Sequence, residues 1–540
     1  MRSAIEFIDM DREELKQLVE RAHASLSEEE YRKLKGVVEA LSYLTDLVAN
    51  QQTTIRDLRE LLFPASTEKT EAVLKNAGIE GKSKPAADKP DASKSGERKQ
   101  KAPGHGRNGA EDYRNPRRVT VRHESLKHGD RCPGCLKGKV YEQQEPRRLV
   151  RIVGQAPLTA TVYELERLRC NLCGEIYSAE APEGIGEDKY EESAAAMIAQ
   201  LKYGTGMPFY RLEDLEQNLG IPLPAATQWE IVEEAAELIK PARDELIRQA
   251  AQGEVLHNDD TSMKVVALRK AIAEEAGERT GIFTSGVVAT AEGRKIALFF
   301  TGRQHAGENL AEVLKRRAAE LPMPIQMSDA LSRNAPKPIK LLVAHCLAHG
   351  RRQFVKIAPN FPDPCRHVLE ALGEVYHQDR LARERGLSRI ERLHFHQQHS
   401  QPVMNDLHQW LDAQLKENKV EPNSGLGKAI SYMLRHWQAL TLFLCEPGAP
   451  LDNNLVERAL KKAILHRKNS LFYKTLNGAE VGDLYMSLIH TCELNHMNPF
   501  GYLTELQRHT EELAAKPADW MPWNYGVALE RSLSNAHRSG

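Results

Sequence analysis

A segment without large apolar side chains, residues 81–109, limits the fold of this chain more than any other feature. Its sequence, GKSKPAADKPDASKSGERKQKAPGHGRNG, is rich in Lys, Ser, Pro and Gly and has nothing to bury in a core. We therefore predict a disordered basic linker over residues 79–115, with folded modules on either side. Basic residues in its second half fit contacts with phosphates and equally a solvated tether: Lys94, Arg98, Lys99, Lys101 and Arg107.

The region before the linker, residues 1–78, has a heptad pattern that predicts a helix. One set of apolar residues is spaced seven apart, and a second set follows three residues after members of the first. The first set is Leu34, Leu41, Val48, Ile55 and Leu62, and the second is Val37, Leu44 and Leu58, with Gln51 as a polar member. This spacing predicts a coiled coil that pairs protomers, although an amphipathic helix packed on its own domain fits the same spacing.

Composition excludes several classes of protein. The chain has 540 residues, too many for one compact core, and its 74 basic and 75 acidic residues leave a net charge of −1. Any basic surface is therefore local. Eight cysteines are too few for a disulfide framework. The first residues, MRSAIEFIDMDREE, lack the features of a signal peptide, and the longest apolar runs are too short to span a membrane. We expect a cytoplasmic protein.

Four of the cysteines form two CxxC pairs within residues 116–182, where the sequence alternates as in β-strands. The pairs are Cys132 with Cys135 and Cys170 with Cys173. Each pair places two thiolates on one tight turn, and two such turns complete the four-sulfur shell of a structural Zn²⁺ ion. We predict a zinc ribbon. A redox function for the CxxC pairs is the alternative, which the β context disfavours. Four sulfur ligands would leave the zinc no open position for catalysis.

Residues 183–250 have a helical pattern with a tight turn at Gly220. The sequence MPFYRLEDLEQNLGIPLPAATQWEIVEEAAELI predicts a helix, a turn and a second helix. In a DNA-binding helix-turn-helix unit, Thr227 and Gln228 near the start of the second helix would contact DNA. Helical hairpins with a glycine turn are also common in proteins that bind no DNA.

From residue 254 the pattern becomes α/β. The segments EVLHNDDTSMKVVAL, GIFTSGVVAT and RKIALFFTG predict a meander, followed by the helix GENLAEVLKRRAAEL and the short strand PIQMSDA. Helical patterns then continue to about residue 446, and the loop CEPGAPLDNN opens the helix LVERALKKAIL. We predict an α/β core in two parts, residues 251–359 and 447–488, with a helical insertion at 360–446 and a helical tail at 489–540.

Three carboxylates fall at distinctive points of this pattern. Asp259 lies in the first strand, Asp329 ends the later short strand, and Glu457 lies one turn into the helix after DNN. This is the chain order in which an RNase H-like fold brings three carboxylates together. Clustered carboxylates raise one another's pKa, and Mg²⁺, which prefers oxygen ligands, offsets their charge. Because the chain has 75 acidic residues, a triplet in this order also arises by chance.

Longer motifs give the triplet a context. The segments LHNDDTSMKV, AHCLAHGRRQF, PLDNNLVERALKKAILHRKNSLF and SLIHTCELNHMNPFGYLTEL resemble motifs of the insertion-sequence-66 family of bacterial transposases, and the resemblance covers nearly the whole chain. It implies a DDE recombinase with an RNase H-like α/β catalytic core, in which Asp259, Asp329 and Glu457 hold two Mg²⁺ or Mn²⁺ ions. Two positions depart from the family pattern. Asp260 stands where the family has glutamate, and the usual Gly-Tyr is missing after Asp329.

The resemblance also assigns residues around the metal ligands. Five residues would support the ligands: Asp260, His349, Asp452, Asn453 and Asn454. Helix N-capping explains the last three equally well. Four cations in matched motifs would contact the DNA backbone: Arg351, Arg352, Arg467 and Lys468.

The resemblance therefore implies a bacterial transposase that binds DNA at the ends of its own element. Cleavage there would free a 3′-hydroxyl, which then attacks target DNA. The expected partners are the element ends, target DNA, further copies of the chain paired through the coiled coil, and small accessory proteins of the same element, in the cytoplasm near the nucleoid. Two alternatives are a catalytically inactive DNA-binding repressor or architectural protein derived from a transposase, and a nuclease that cuts without joining.

Overall fold

The computed structural model describes residues 27, 29–31, 34–35, 119–141, 149, 152, 155–173, 175–182, 188–274 and 279–539. The predicted linker at 79–115 and the heptad helix beyond residue 35 lie outside these residues. The chain divides into two compact units, one of Met1–Gly81 with Arg352–Gly373 and one of Lys82–Arg351 with Glu374–Gly540. Within the described residues, no helix is long and apolar enough to cross a membrane.

The described part of the chain has mixed α/β secondary structure. The strands are β1 (Arg167–Arg169), β2 (Ile176–Ser178), β3 (Val255–Ser262), β4 (Phe283–Ala291), β5 (Arg294–Gly302), β6 (Ile325–Ser328) and β7 (Leu342–His345). The α-helices are α1 (Glu192–Ala199), α2 (Phe209–Asn218), α3 (Ala225–Ala251), α4 (Val266–Glu274), α5 (Ala306–Leu314), α6 (Leu347–Ile357), α7 (Pro362–Glu384), α8 (Arg389–His399), α9 (Gln401–Lys416), α10 (Gly425–Arg435), α11 (Trp437–Leu440), α12 (Asn454–Ser470), α13 (Leu476–Leu494), α14 (Pro499–Arg508), α15 (Thr510–Ala515) and α16 (Tyr525–Ser539).

A five-stranded mixed sheet in the order β5-β4-β3-β6-β7 forms the centre of the second unit. Strands β3, β4 and β5 pair antiparallel as a meander, while β6 and β7 run parallel to β3. Glu292 and Gly293 connect β4 to β5, and both have positive φ, 49° and 79°, as a type I′ hairpin requires. The predicted meander and the short strand after it are confirmed as secondary structure.

The first strand of the sheet is shorter than the sequence predicted. β3 ends at Ser262, and the KVVAL segment does not continue it. The chain turns there, and the backbone groups of Lys264 and Val266 pair with the backbone of Tyr473. Val265 between them is fully buried. The apolar, β-branched character of this segment therefore serves packing against the core and does not lengthen the strand.

Successive residues of β3 face two different helical layers. Asp259 pairs with Gly286 of β4, and a Cβ at Gly286 would meet Leu460 of α12 at 3.0 Å. Paired residues point to the same face of a sheet, so Asp259 points toward the α12 face. Asp260 pairs with Ser285, whose hydroxyl accepts a hydrogen bond from α5. Asp260 therefore points toward α5, on the opposite face.

The helices before the sheet and after α12 share one hydrophobic core with it. The shared cluster includes Ile239 and Leu246 of α3, Val287 of β4, Leu298 of β5, Leu488 of α13 and Leu503 of α14. Each of these helices has an apolar face that only the sheet and its neighbouring helices cover. The described helices within residues 188–250 and 489–539 thus contribute to the same hydrophobic core as the sheet.

Polar side chains of α13 and its C-cap cover the outer edge of β5. Four residues spaced four apart bond alternate residues of the strand: Asp483 bonds Thr301, Ser487 bonds Phe299, Thr491 bonds Ala297 and Asn495 bonds Lys295. Four helical residues rise about 6 Å and two strand residues about 6.6 Å, so the two spacings match along the edge. The helix therefore satisfies the edge groups that another strand would otherwise pair.

The stretch predicted as a helical insertion, residues 360–446, is helical and contains α7 to α11. Within the second unit, Asp379 of α7 pairs with Arg392 of α8 at 2.7 Å, and both side chains are largely buried. Nε2 of His396 lies 3.3 Å from the same carboxylate. This ion pair joins the first two helices of the stretch.

Candidate active site

Asp260 is a buried carboxylate with two side-chain partners, of which Arg333 is a permanent cation. Its side chain is 1% exposed, and its oxygens lie 2.8 Å from Nδ1 of His305 and 3.2 Å from Nη2 of Arg333. Breaking a buried pair of this kind leaves an uncompensated charge, so both partners hold Asp260 in place. Neither partner is marked in the sequence, because His305 and Arg333 lie in the segments that follow β5 and β6, far from Asp260 along the chain.

Asp259 has other carboxylates as its charged neighbours. Its Oδ1 accepts a hydrogen bond from the N–H of Asp260 at 2.8 Å and another from Nδ2 of Asn334 at 3.3 Å. Burial is the main reason that the pKa of Asp259 rises to about 6, and the charges of Asp329 and Asp260 act in the same direction. A cation placed beside Asp259 would therefore be strongly favoured.

Asn334 joins the first two carboxylates of the predicted triplet. Its Nδ2 donates to Oδ1 of Asp329 at 2.6 Å, in addition to its bond to Asp259. Asp329 follows β6, whose pairing with β3 ends at Met327, so the two carboxylates lie where the parallel strands separate. The backbone oxygen of Asn334 accepts a bond from Gln326 at 2.6 Å, which fixes its position. The segment SDALSRN lacks the Gly-Tyr that the family usually has after this aspartate, and the sequence carries no signal for Asn334.

Glu457, the third carboxylate, lies in the first turn of α12 beside His349 and Cys346. Nδ1 of His349 lies 3.7 Å from Oε1 of Glu457, and the ligand atoms of all three residues lie within 4.8 Å of one another. The N–H of Cys346 donates to the backbone oxygen of Ser328 at 2.9 Å, directly before Asp329. This cluster is therefore adjacent to the two aspartates. His349 was predicted to support the ligands, whereas Cys346 was not singled out.

The start of α12 is tied to β3 by Asn453. Nδ2 of this buried side chain donates to the backbone oxygen of Asn258 at 3.1 Å, and its Oδ1 lies 3.1 Å from Nδ1 of His257. Its side chain makes no helix-capping bond, so the N-capping alternative is wrong for Asn453. Asp452 accepts a bond from the N–H of Asn454 at 3.2 Å. These contacts fix the start of α12, and therefore Glu457 in its first turn, against β3.

Replacing Asn334 by alanine is expected to lower stability in metal-free buffer by about 2–3 kcal/mol, because two carboxylates lose a shared hydrogen-bond donor. The pKa of Asp259 should rise further, since the bond from Asn334 lowers it. Thermal unfolding in EDTA should then show a fall in Tm of about 2–4 °C. Added Mg²⁺ should restore part of this loss. An equal loss with and without excess metal would contradict the assignment of Asn334 to a metal site.

Two of the predicted DNA-backbone contacts lie near the carboxyl end of β3. Nη1 of Arg467 donates to Oγ1 of Thr261 at 3.2 Å, and Lys468 next to it is exposed. Arg351 is only 6% exposed and is engaged within the protein, so we leave it out of the proposed DNA surface. Arg352 belongs to the first compact unit.

The predicted helix-turn-helix residues lie at the start of α3. Gln228 is fully buried, and its Nε2 donates to the backbone oxygens of Leu223 at 2.9 Å and Phe209 at 3.3 Å. It therefore joins α3 to α2 and the turn and cannot reach a base edge, so we leave Gln228 out of the proposed DNA surface. Thr227 is half-buried, and its contact with DNA stays a prediction.

The two CxxC turns lie in small β-structures. Arg131 bridges Lys139 around the first turn, and β1 pairs with β2 around the second. The N–H of Gly138 donates to Sγ of Cys135 at 3.4 Å, and backbone bonds of this kind lower the pKa of Cys135. Within the described residues, the ligand atoms of the two turns are not gathered into one group of three or more. The predicted site of Cys132, Cys135, Cys170 and Cys173 therefore stays a prediction.

Comparison with known proteins places the chain in a family. The family model described as "Transposase IS66 family" matches residues 189–481. Two similar proteins of Sinorhizobium fredii (strain NBRC 101917 / NGR234) are uncharacterized protein y4jD and uncharacterized protein y4hP. They are 29% and 26% identical to this chain over 63% and 67% of its length, and the match covers 67% of each. No solved structure matches the chain. Since the family model matches more than half of the chain, the protein belongs to the IS66 family of transposases.

Proposed function

We propose that this chain is an active DNA transposase of a bacterial insertion sequence that uses a DDE mechanism. The observation that carries the proposal is the pair of aspartates, Asp259 and Asp329, held together by Asn334 beside the cluster of Glu457. Asp259 is buried with a raised pKa and has carboxylates as neighbours. The sheet order β5-β4-β3-β6-β7, with a meander followed by two parallel strands, supports an RNase H-like core.

The donor atoms at this position suit Mg²⁺ or Mn²⁺. Both ions prefer oxygen ligands, and Asp259, Asp329 and Glu457 provide carboxylate oxygens. Oδ1 of Asn334 is buried without a hydrogen-bond partner beside the two aspartates, so a further polar group fits there. Sulfur is a poor ligand for both ions, and burial raises the pKa of Cys346 to about 12, which further disfavours its thiolate. We therefore assign the ions to the three carboxylates.

When bound, two divalent ions would activate the attacking water or hydroxyl and stabilise the charge that develops on the scissile phosphate. The protein residues hold this site in shape. Asp260, anchored by His305, fixes β3, and Asn453 fixes the helix start that carries Glu457. Arg467 and the exposed Lys468 would bind backbone phosphates, which positions the DNA without reading its sequence.

DNA-end recognition is assigned to the zinc ribbon, with the protein acting as a multimer in the bacterial cytoplasm. We predict one tightly bound Zn²⁺ per chain, held by four sulfurs. Replacing Cys132 and Cys170 together by serine should remove the zinc and weaken binding to element-end DNA at least about tenfold. Elemental analysis and gel-shift titration measure the two effects. Cys445→Ser, at an exposed cysteine outside the ribbon, is the matched control, and unchanged zinc in the double variant would overturn the ligand set.

The test of the proposed function uses the purified full chain with Mg²⁺ or Mn²⁺ on labelled DNA from the ends that flank its own gene. Wild type should produce both cleaved and joined products, and Glu457→Gln should produce neither. DNA binding without cleavage in both proteins would favour the repressor alternative. The observation that favours this alternative is that Glu457 contacts His349 and not the two aspartates. Cleavage without joined products would favour a nuclease. Equal cleavage by both proteins would overturn the carboxylate assignment.

A further inference from the structure

The turn after α12 holds two large apolar residues in an exposed and strained conformation. Leu471 has φ 69° and ψ −44°, and the N–H of Phe472 donates to the backbone oxygen of Ser470 at 2.8 Å. This is a γ-turn with positive φ, a rare and strained conformation for a leucine. Leu471 is 60% exposed and Phe472 is 47% exposed. Neither hydrophobic burial nor local backbone preference accounts for this turn.

The turn is held firmly on both sides. Before it, Oγ of Ser470 accepts a hydrogen bond from Nζ of Lys202 at 2.8 Å. After it, Tyr473 is buried, its backbone pairs with the segment that follows β3, and its ring stacks on that of His466 at 4.2 Å. Strain persists only where the surroundings determine the backbone in this way. These contacts fix the backbone of the turn, and the side chains of Leu471 and Phe472 are exposed on it.

The surroundings of the turn are basic. Three lysines close to the turn are exposed: Lys264, Lys468 and Lys474. Lys264 lies beside the turn because its backbone oxygen accepts the N–H of Tyr473. Arg467 is anchored to Ser262 Oγ at 2.6 Å. Two exposed apolar side chains with cations around them are complementary to a nucleic acid, because its bases have apolar faces and its backbone is anionic.

The turn lies beyond the carboxyl end of the strand that carries Asp259, because Tyr473, directly after the turn, pairs with Lys264. From Asp259 to Ser262, where Arg467 anchors the end of α12, the strand advances three residues or about 10 Å. That distance corresponds to about three base steps of a stacked DNA strand. DNA whose scissile phosphate lies at Asp259 would therefore meet the turn a few nucleotides away.

We propose that Leu471 and Phe472 form an apolar wedge that inserts between bases of the bound DNA about three nucleotides from the scissile phosphate. This inference rests on the proposed transposase function and names a residue pair that positions its substrate. Inserted apolar side chains unstack a base step and kink the duplex, which would bring the phosphate of an otherwise straight helix down to the carboxylates. Two side chains are far too small for a stable protein interface, which needs about 800 Å² per partner.

The test uses element-end DNA with 2-aminopurine placed singly at each of the first positions from the cleavage site, because this base becomes brighter when it unstacks. Wild type, Leu471→Gly, Phe472→Ala and the control Leu238→Ala are compared at saturating protein in Ca²⁺ or EDTA. Leu238 is a similarly exposed leucine on α3. Glycine accepts positive φ without strain, so Leu471→Gly should keep or raise Tm while it removes the wedge. Unchanged folding therefore separates the wedge from a structural role.

We expect wild type and Leu238→Ala to brighten one or two positions about three nucleotides from the cut, and the two turn variants to brighten none. The turn variants should cleave intact duplex at least about tenfold more slowly, since unstacking costs a few kcal/mol. DNA with mismatched bases at those positions should restore their rate.

Cleavage by wild type with no brightening, or no rescue by the mismatches, would overturn the wedge and leave the proposed function standing. Absence of metal-dependent cleavage in wild type would overturn both. A change in oligomeric state of the turn variants, with brightening unchanged, would assign the turn to contact with a second copy and also reject the wedge.

Discussion

Replacing Asp259 by asparagine is expected to reduce metal-dependent cleavage and joining by about 10³-fold or more. An amide carries no charge to hold the ions, and this position shares Asn334 with Asp329. DNA binding without metal should stay within about twofold of wild type, because the backbone cations are untouched. Single-turnover cleavage with Mg²⁺ and with Mn²⁺, and gel-shift titration in EDTA, measure the two effects separately.

The same substitution is expected to make the metal-free protein more stable at pH 8. The folded pKa of Asp259 is raised by burial from 3.8 to about 6. Between these values the folded state holds a proton that the unfolded state has lost, so stability falls as the pH rises through the window. Above about pH 6 the carboxylate of Asp259 is charged in the folded state and lowers stability by its whole burial cost. Asparagine has no charge there and avoids this cost. Added metal should raise Tm for wild type only.

Asp406→Asn, at an exposed aspartate of α9, is the matched control for both measurements and should change neither activity nor stability. An Asp259→Asn protein that is less stable than wild type at pH 8, or that keeps its metal-dependent rise in Tm, would show that Asp259 is a structural residue and not a metal ligand.

Replacing Asp483 by alanine is expected to destabilise the fold by about 3–4 kcal/mol. The side chain of Asp483 in α13 is buried. Its carboxylate accepts hydrogen bonds from the N–H of Thr301 at 2.5 Å and from the hydroxyl of Thr301 at 2.8 Å. Alanine would leave both donors buried without an acceptor at the edge of β5. The thermal transition of the second unit should fall by roughly 4–6 °C. Ser487→Ala, one turn along the same helix, should cost less, about 1–2 kcal/mol, because it loses only neutral bonds, one from the N–H of Phe299 and one to the backbone oxygen of Asp483.

Asp483→Asn separates the hydrogen bonds from the charge. Burial raises the pKa of Asp483 to about 7, so wild type should lose stability as the pH rises from about 4 to about 7 and level off above that. Asparagine keeps an acceptor for Thr301 and does not titrate, so the slope should be shallower than in wild type, with the contribution of Asp259 below about pH 6 remaining. The Tm of this variant should also exceed that of the alanine variant. Parallel slopes for wild type and Asp483→Asn would show that another group titrates.

The sequence predicts the three carboxylates as metal ligands because each is marked by a local pattern. Asp259 interrupts an apolar strand, Asp329 directly follows a short one, and Glu457 stands in the first turn of a helix after DNN. Period-2 and period-3.6 patterns depend only on neighbours along the chain, so they indicate strands and helices without any knowledge of the fold. Where one segment packs in place of pairing, as in KVVAL after Ser262, the same apolar pattern led to a strand that is not there.

Partners across the fold had no such local mark. Asn334 lies 75 residues from Asp259, Asn453 lies 195 residues from Asn258, and both bonds are made by ordinary asparagines in irregular segments. Gln228 has the position of a DNA contact in a helix-turn-helix, yet its amide donates a hydrogen bond to the backbone oxygen of Leu223 inside the protein. A side chain's availability depends on what packs over it, which a single sequence does not record.

By itself, the sequence determined the order of strands and helices in this protein, the carboxylates at their ends and the family motifs around them, because these are properties of neighbouring residues. Only the tertiary structure decided that Asp260 faces α5 with His305 and Arg333 while Asp259 faces α12. It also decided that Asp483 and its periodic partners close the edge of β5, 182 residues away. The physical reason is that burial and charge compensation arise from contacts between distant segments, and these exist only once the chain has folded.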